Sequence, residues 1–293
     1  MAIYGLITSS HGRHYTVEVD GRSYHTISRG KKSVYVVGDR VVLNIINQEQ
    51  AQISELIPRE SLIYRSDLNR SKLIASNVTQ ILIVCAVKPN FNRGFLDSCL
   101  INAEASQIQA VIIINKSDLS ETAPFTAEIK ALYGDGLGYS IMEVSAHADC
   151  SSLTQILDGQ CSLLIGQSGM GKSTLMNCLS PQAQAKTGAI CKSETSGSHT
   201  TTNASLYHLN PSTSLIDCPG LQEFGLMHLE LSELSNYFPE MRPLLGQCRF
   251  ANCQHLSEPG CMITSAVTGG VIHQERYTTY QRICNTLKQK RNY

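Results

Sequence analysis

Apolar and polar positions alternate along the first part of the chain, from residue 1 to about residue 60. In HYTVEVDGRSYHTI, two alternating runs lie on either side of Asp20 and Gly21. Alternation with a period of two predicts half-buried strands, and an Asp-Gly pair between such runs predicts a hairpin. Further alternating runs follow in SVYVVGDRVVLNII and AQISELI. The pattern therefore predicts a small barrel of about five strands, either OB-like or SH3-like.

The middle of the chain carries continuous apolar runs separated by stretches of helix length. From about residue 67 to 225 the runs are NVTQILIVCAV, QAVIIIN, IMEVSA, CSLLIG and TSLIDCPG. Strands that are apolar on both faces are typical of a parallel sheet covered by helices on both sides. This part is predicted to be an α/β domain.

The remaining residues predict helices around a cluster of cysteines and a histidine. HLELSELSNYF has a helical pattern, and HQERYTTYQRICNTLKQKRNY predicts an amphipathic helix. Basic residues gather near the end of that helix: Arg282, Lys288, Lys290 and Arg291. The predicted division is a barrel at 1–66, an α/β domain at 67–227 and a helical domain at 228–293.

Charge limits the kinds of partner that the whole chain can attract. The 24 Lys and Arg residues equal the 24 Asp and Glu residues in number. A neutral chain has no overall basic field for nucleic acid or an anionic membrane, so such binding must come from local patches. One candidate is SRGKKS, a predicted barrel loop in which Arg29, Lys31 and Lys32 could bind a nucleic acid backbone. A purely structural barrel agrees with the sequence about equally well.

Hydropathy and cysteine usage favour a cytoplasmic protein. The N-terminus lacks the apolar segment of a signal peptide, and the longest clean apolar run, ILIVCAV at 81–87, is far shorter than the ~20 residues of a membrane span. The cysteines number eleven, and most stand singly in apolar segments, where a thiol behaves as a small hydrophobic group: Cys85, Cys99, Cys161 and Cys178. This usage is typical of a reducing compartment.

The segment GQSGMGKST fits the phosphate-loop pattern G-x-x-x-x-G-K-[ST]. A predicted strand precedes it and a predicted helix follows it, which is the setting that supports the motif. Backbone N–H groups of such a loop bind phosphate, the lysine reaches the terminal phosphates, and the hydroxyl ligates magnesium. Lys172 is therefore a predicted catalytic residue and Ser173 a predicted magnesium ligand. The predicted nucleotide contacts are Gly166, Gln167, Ser168, Gly169, Met170, Gly171, Lys172, Ser173 and Thr174.

A second motif, NKSD, lies upstream at the carboxyl end of the run VIIIN. The Asp118 carboxylate can accept hydrogen bonds from the ring N–H and the exocyclic amine of guanine, whereas adenine offers neither there. Alone, such a turn is a weak signal, and a solvated loop explains it as well. Together with the phosphate loop and the Ser-Ala pair that ends IMEVSA, it predicts a guanine site at the sheet edge. Its residues are Asn115, Lys116, Asp118, Ser145 and Ala146.

Two further segments complete the predicted nucleotide site. DCPG begins with the last residue of the run TSLID, so Asp217 is expected on the magnesium side and the Gly220 N–H at the γ-phosphate. In GSHTTT, Thr200 or Thr201 is expected to cap the magnesium from a mobile loop. Leu221 stands where many GTPases carry a water-orienting glutamine, so His199 is the candidate for positioning the attacking water. The alternative is that His199 packs the loop or contacts RNA.

The spacing Cys248-x4-Cys253-x-His255-x5-Cys261 predicts a zinc site. Three thiolates and an imidazole fill the tetrahedral coordination of zinc and leave no position for a reacting water, so the site is expected to be structural. The alternative is a set of reduced cysteines that happen to lie close in sequence.

The nucleotide motifs occur in an order rotated from that of ordinary GTPases, because the guanine motif precedes the phosphate loop. This order predicts a circular permutation, which compact domains tolerate. The sequence resembles the bacterial ribosome small-subunit-dependent GTPase A family essentially end to end, through RESLIYRS, SNVTQILIV, FNRGFLD and CRFANCQHLSEPGC. The resemblance implies an N-terminal OB barrel, a permuted GTPase domain and a C-terminal zinc domain. The chain departs from the family at Ser198, where a basic residue is usual.

The resemblance also implies a function. It indicates a monomeric, magnesium-dependent GTPase that binds GTP and GDP, the small ribosomal subunit and its rRNA, acts in late subunit maturation, and is stimulated by the ribosome. An alternative from another class is an RNA-binding module with OB and zinc domains in which the nucleotide is only an affinity switch. An ATP-using kinase disagrees with NKSD.

Overall fold

The computed structural model describes residues 2–27, 35–66, 71–180, 204–218 and 224–291, with the backbone alone at residues 66, 290 and 291. Several positions with a predicted role lie outside the described residues. They are Arg29, Lys31, Lys32, Ser198, His199, Thr200, Thr201, Gly220 and Leu221, together with the side chains of Lys290 and Arg291.

The first five strands close into a barrel. They are β1 (Ile3–His11), β2 (His14–Val19), β3 (Arg22–Ile27), β4 (Arg40–Ile45) and β5 (Ala51–Leu56). β1 pairs with β2 and β4, β2 pairs with β3, and β4 pairs with β5. The ring closes where the His25 N–H in β3 donates to the Glu49 carbonyl beside β5 at 2.7 Å. The predicted Asp20-Gly21 hairpin is present, with φ of 48° and 77°, positive at both turn positions as a type I′ turn requires.

A short hairpin leads from the barrel into the α/β unit. The hairpin pairs β6 (Leu62–Ser66) with β7 (Ser71–Ser76). The following strands are β8 (Gln80–Cys85), β9 (Gln109–Ile114), β10 (Ser140–Glu143), β11 (Cys161–Gly166), β12 (Ala204–Asn210) and β13 (Thr213–Asp217). Their order in space is β10-β9-β8-β11-β13-β12, and every neighbouring pair is parallel except β13 and β12. The carboxyl ends of five strands therefore share one edge.

Helices cover both faces of this sheet. They are α1 (Arg93–Ala105), α2 (Thr122–Ile129), α3 (Thr154–Leu157) and α4 (Lys172–Leu179), and a π-helical turn at Lys130–Asp135 extends α2. Ile81 and Ile83 of β8 pack into the core on one face, and Leu82 and Val84 pack into the core on the other. Burial on both faces is the reason that the strand is apolar at every position. The predicted α/β architecture is confirmed.

The barrel and the α/β sheet are joined by strand pairing. Ser9 and Ser10 in β1 pair with Ser205 and Ala204 at the start of β12, in an antiparallel arrangement. The described strands of the barrel and of the α/β unit thus belong to one continuous mixed sheet. The alternation of β1 does not predict this pairing, because alternation shows which face of a strand is buried and not which strand lies beside it. β1 also pairs with β2 and β4.

The C-terminal residues form α5 (Met262–Thr268), α6 (Gln274–Arg291) and two 3-10 helices, Leu234–Tyr237 and Arg242–Leu244. The predicted terminal helix is confirmed. The helix predicted in HLELSELSNYF is wrong, because that segment forms turns and one 3-10 helix. The backbone is extended at Phe238, as the following proline favours, so a regular helix cannot continue there.

A buried ion cluster fastens α6 to α1. Arg276 is 1% exposed, and its guanidinium donates to Asp97 and to Glu240, each at 2.7 Å. The Tyr133 hydroxyl and the Thr279 hydroxyl also donate to Asp97, at 2.9 and 2.7 Å. Each charged group of the cluster therefore has a partner of opposite charge, which a buried charge needs. Among the described residues, no helix has the length and apolar character needed to cross a membrane.

Candidate functional site

Asn115 joins three of the predicted nucleotide motifs at the carboxyl edge of the sheet. Its side chain is 2% exposed. Nδ2 donates to the Met170 carbonyl of the phosphate loop at 3.0 Å, and Oδ1 accepts from the Ala146 N–H at 3.1 Å. The guanine motif, the Ser-Ala pair and the phosphate loop therefore form one hydrogen-bonded unit, although up to 55 residues of chain separate the bonded partners.

Lys116 and Asp118 extend this unit. Lys116 has φ of 63°, which turns its side chain back so that Nζ donates to the carbonyls of Gly169 and Lys88, at 2.8 and 2.9 Å. The Ser145 hydroxyl donates to Asp118 Oδ1 at 2.6 Å. This hydrogen bond, with others from the backbone, lowers the pKa of Asp118 below its usual value. Asp118 is therefore an ionised, solvent-facing acceptor, as guanine recognition requires.

Two glycines of the phosphate loop stand where no side chain fits. A Cβ at Gly166 would lie 2.5 Å from the Val84 carbonyl oxygen of β8. Gly171, the residue before α4, has φ of 91°, and a Cβ there would lie 2.2 Å from Asn115 Nδ2. The loop can thus pass close to β8 at Gly166, and close to the guanine motif at Gly171, only with glycine at these positions. The loop is also held by its Gln167 side chain, which accepts from the Asn92 N–H at 2.8 Å.

Lys172 and Asp217 are the charged groups of the phosphate side. Lys172 Nζ donates to the carbonyls of Gly166 and Gln167, the latter at 2.9 Å. Burial lowers the pKa of Lys172, and the nearby Asp217 carboxylate acts in the opposite direction. Burial raises the pKa of Asp217, and Lys172 opposes that shift in turn. A cation bound beside the phosphate loop would stabilise the ionised form of this desolvated carboxylate.

Two of the predicted magnesium ligands, Ser173 and Asp217, lie among the described residues. Asp217 ends β13, and its neighbour in β11 is Leu164, two residues before the phosphate loop begins. Ser173 lies in the first turn of α4 and is exposed. A hydroxyl and a carboxylate are hard oxygen ligands of the kind that magnesium prefers. The remaining predicted ligands, Thr200 and Thr201, lie outside the described residues.

The second cluster of donors is formed by the predicted zinc residues. One ligand atom from each of Cys248, Cys253, His255 and Cys261 lies within 4.8 Å of all the others. Cys248 Sγ lies 3.9 Å from Cys261 Sγ, and His255 Nδ1 lies 3.4 and 3.6 Å from these two sulfurs. Tetrahedral zinc with its usual bond lengths places two sulfurs about 3.8 Å apart, and a sulfur and a nitrogen about 3.5 Å apart. The four residues are thus positioned to hold such an ion.

A shell of hydrogen bonds positions this cluster. The N–H groups of His255 and Met262 donate to the sulfurs of Cys253 and Cys248, each at 3.4 Å. The Tyr277 hydroxyl of α6 donates to the His255 carbonyl at 2.9 Å. Burial alone would raise the pKa of the Glu258 carboxyl, but backbone N–H donors around it prevail and lower that pKa to about 2. Glu258 therefore stays ionised and orders the loop between the ligands.

One cysteine expectation is wrong. Cys178, predicted to stand alone, forms a disulfide with Cys150, 28 residues earlier in the chain. The two meet because the segment after β10 and the end of α4 pack into the same apolar core, which is a tertiary relationship with no local sequence signal. Cys85, Cys99 and Cys161 are free, as expected.

Comparison with known proteins identifies the family. A sequence profile of the RsgA GTPase family matches residues 56–227. The chain belongs to the RsgA GTPase family. A relative named "Small ribosomal subunit biogenesis GTPase RsgA" from Neisseria meningitidis is 47% identical over 282 residues, 96% of this chain and 91% of the relative. A relative of the same name from Nitrosomonas europaea is 42% identical over 292 residues, 98% of this chain and 93% of the relative.

Solved structures agree with membership of the RsgA GTPase family. YjeQ from Thermotoga maritima superposes with a TM-score of 0.76 at 28% identity, covering 98% of this chain and 99% of that one. YloQ, described as a circularly permuted GTPase, superposes with a TM-score of 0.71 at 26% identity, covering 99% and 96%. The predicted circular permutation is confirmed, since β8 to β10 with the guanine motif precede β11 with the phosphate loop.

Two contacts of the site had no counterpart in the sequence analysis. The Lys88 carbonyl accepts a hydrogen bond from Lys116 Nζ, and the Asn92 N–H donates to Gln167 Oε1. Asn92 lies in the segment FNRGFLD, which resembles the family, but the resemblance carried no role for it. Backbone groups act at both positions, and side-chain identity says little about where a backbone group points.

Proposed function

We propose that this protein is a magnesium-dependent GTPase that binds the small ribosomal subunit and acts in its late maturation. The observation that supports the proposal is the hydrogen bonding of Asn115, which joins the guanine motif, the Ser-Ala pair and the phosphate loop in one unit. The curated relatives, which match almost the whole chain, are named for small-subunit biogenesis. The nucleotide site supports GTP as the substrate, and the names support the ribosomal target.

The residues of the site indicate how hydrolysis would proceed. Nζ of Lys172 would leave the carbonyls of Gly166 and Gln167 and bind the terminal phosphates, which are stronger acceptors. Backbone N–H groups of the phosphate loop would bind the remaining phosphate oxygens. Ser173 and Asp217 would hold magnesium, which neutralises charge that builds up on the phosphates during transfer. His199 is proposed to position the attacking water.

We propose one structural zinc per chain, held by Cys248, Cys253, His255 and Cys261. Spacings that match tetrahedral geometry support it, as do the N–H groups aimed at two sulfurs. The cluster packs against α6 through the Tyr277 hydroxyl. Its role would be to fold the C-terminal region rather than to activate a water.

The three predicted domains stay a proposal: an OB-type barrel at 1–66, the permuted GTPase domain at 67–227 and the zinc domain at 228–293. A groove of about 400 Å³ on the barrel, beside His11, His14 and His25, supports contact with rRNA. Thr26 also lines this groove, and its hydroxyl is the one buried side-chain N or O atom among the described residues that lacks a hydrogen-bond partner. Action on the ribosomal subunit would place the protein in the cytoplasm.

Hydrolysis of GTP and ATP by the purified protein, with and without small ribosomal subunits, tests the proposal. We expect GTP but not ATP to be hydrolysed. The free protein should hydrolyse GTP slowly, and addition of subunits should make hydrolysis much faster. Lys172→Ala should abolish both rates, since it removes the phosphate-binding cation. Equal use of ATP would reject the guanine site. A rate that subunits leave unchanged would favour the RNA-binding module whose nucleotide only switches affinity.

A further inference from the structure

Cys150 and Cys178 form a disulfide between two segments that flank the proposed nucleotide site. Cys150 is 4% exposed and Cys178 is partly exposed. Their Cα atoms lie 6.3 Å apart. Disulfides normally span Cα separations of about 4.4 to 6.8 Å, so these backbones accept a bridge where they stand. Both side chains face one apolar core with Ala146, Met170 and Leu175.

Each cysteine belongs to an element that touches the nucleotide site. Cys150 follows the turn in which the Asp149 N–H donates to the Ser145 carbonyl at 2.9 Å, and Ser145 holds Asp118. Cys178 lies in the last turn of α4, the helix that begins at Lys172. The bridge therefore ties the loop on the guanine side to the helix on the phosphate side.

We infer that Cys150 and Cys178 form a reversible oxidative modification site whose disulfide slows the release of bound nucleotide. The effect on release rests on the proposed function, whereas formation of the bridge does not. A nucleotide held by the guanine loop and the phosphate loop leaves when these two parts move apart. A covalent tie between them restricts that motion and leaves every predicted ligand of the nucleotide in place.

The oxidant that the inference requires is a small-molecule disulfide such as oxidised glutathione. The partly exposed Cys178 attacks as its thiolate, forming a mixed disulfide and releasing one reduced glutathione. The Cys150 thiolate then attacks the Cys178 sulfur, forming the bridge and releasing the second reduced glutathione. Two protein thiols are oxidised and one glutathione disulfide is reduced. A dithiol reverses both steps, as a transient disulfide in a reducing compartment requires.

The free thiols outside the zinc cluster have no disulfide partner among the described residues. Cys85, Cys99, Cys218 and Cys284 are buried and free. Burial raises the pKa of Cys85 to about 12 and that of Cys161 to about 11, which leaves little reactive thiolate. Cys161 is partly exposed and free, so it serves as a matched control.

The test uses the full chain, reduced with dithiothreitol and then titrated with oxidised glutathione. Peptide mass spectrometry detects a link between Cys150 and Cys178, and release of a fluorescent GDP is timed in both states. We expect the link, a several-fold slower release and a rise in Tm of roughly 5 to 10 °C from the closed loop. Dithiothreitol should reverse all three effects. Cys161→Ser should behave as wild type, and Cys150→Ser and Cys178→Ser should show none of them.

Two results would overturn the inference: no linked peptide at any glutathione ratio, or a linked protein that releases GDP at the reduced rate. Failure of the reduced protein to bind the fluorescent GDP would instead reject the proposed function. In that case the linked peptide would still show whether the bridge forms. A rise in Tm on oxidation of the wild type that is absent in Cys150→Ser and Cys178→Ser would support the same conclusion.

Discussion

Asn115 Nδ2 donates to the Met170 carbonyl oxygen at 3.0 Å, which fixes the distance between the guanine motif and the phosphate loop. The amide is buried, and its Oδ1 is used at the same time by the Ala146 N–H. In the proposed site, a guanine nucleotide reaches from one motif to the other. This side chain therefore sets the dimension that the ligand has to match.

Asn115→Asp should weaken both the fold and nucleotide binding. The carboxylate keeps the acceptor for Ala146 but presents an oxygen to the Met170 carbonyl, which loses its donor. We expect a loss of about 1 to 3 kcal/mol in the free energy of unfolding and GTP affinity reduced by about tenfold or more. Urea unfolding and titration with a fluorescent GTP measure the two effects. Asn177→Asp, on the exposed face of α4, is the control and should change neither.

Asp118→Asn should change the preferred base from guanine to xanthine. An amide donates where xanthine carries a carbonyl, and guanine loses its acceptor. We expect GTP affinity to fall by at least about tenfold and XTP to bind better than GTP. Competition titrations with both nucleotides measure this. Asp149→Asn changes an exposed neighbour that bonds Ser151 instead, and it should keep the preference for GTP. Unchanged GTP affinity in Asp118→Asn would mean that NKSD does not contact the base.

Removal of the zinc should unfold the C-terminal region and spare the nucleotide site. Elemental analysis should find one zinc per chain in the wild type and none in Cys253→Ala. In this variant, trypsin should cut at new sites within residues 228–293, while GTP binding should stay normal. Cys284→Ala removes a buried thiol from the same region and should retain the metal. A metal-free wild type with a trypsin-resistant C-terminal region would contradict the zinc proposal.

Arg276→Leu should be among the most destabilising single changes in the chain. It leaves Asp97 and Glu240 buried without their cation, which costs about 3 to 5 kcal/mol in the free energy of unfolding. Arg40→Leu is the control, because its pair with Glu60 has side chains 55% and 69% exposed, and its loss should cost no more than about 1 kcal/mol. Thermal and urea unfolding compare the two variants. Similar losses would mean that the buried cluster does not hold α6 on α1.

His199→Ala should uncouple hydrolysis from the ribosome. If the imidazole positions the water, the variant should bind small subunits normally but lose most of the stimulation in a single-turnover assay, while its slow free rate changes little. Subunit binding is measured separately by co-sedimentation. Stimulation equal to that of wild type would assign the water to the backbone or to the ribosome.

Much of the site follows from local sequence, because its motifs are contiguous and each stands at the end of an apolar run. The segment with Gly166 and Gly171 lies between strand β11 and helix α4, as its pattern predicts, and the Asp20-Gly21 hairpin forms as its residue types require. The helix predicted in HLELSELSNYF does not form. Pro239 favours an extended backbone at Phe238, and the residues before it pack as turns and one 3-10 helix into the C-terminal core.

Contacts between distant segments could be found only in the tertiary structure. The pairing of β1 with β12, the Asp97–Arg276 ion pair and the Cys150–Cys178 bridge each join residues whose own neighbourhoods carry no mark of the partner. Periodicity reports which face of an element is buried, and motif spacing reports which atoms can share a ligand. Neither reports which element packs against that face, because that choice depends on how all the elements fill space together. The sequence therefore determines the chemistry of the nucleotide site and the donor set for zinc. The packing of the whole chain decides how those sites are tied to the barrel, to α6 and to each other.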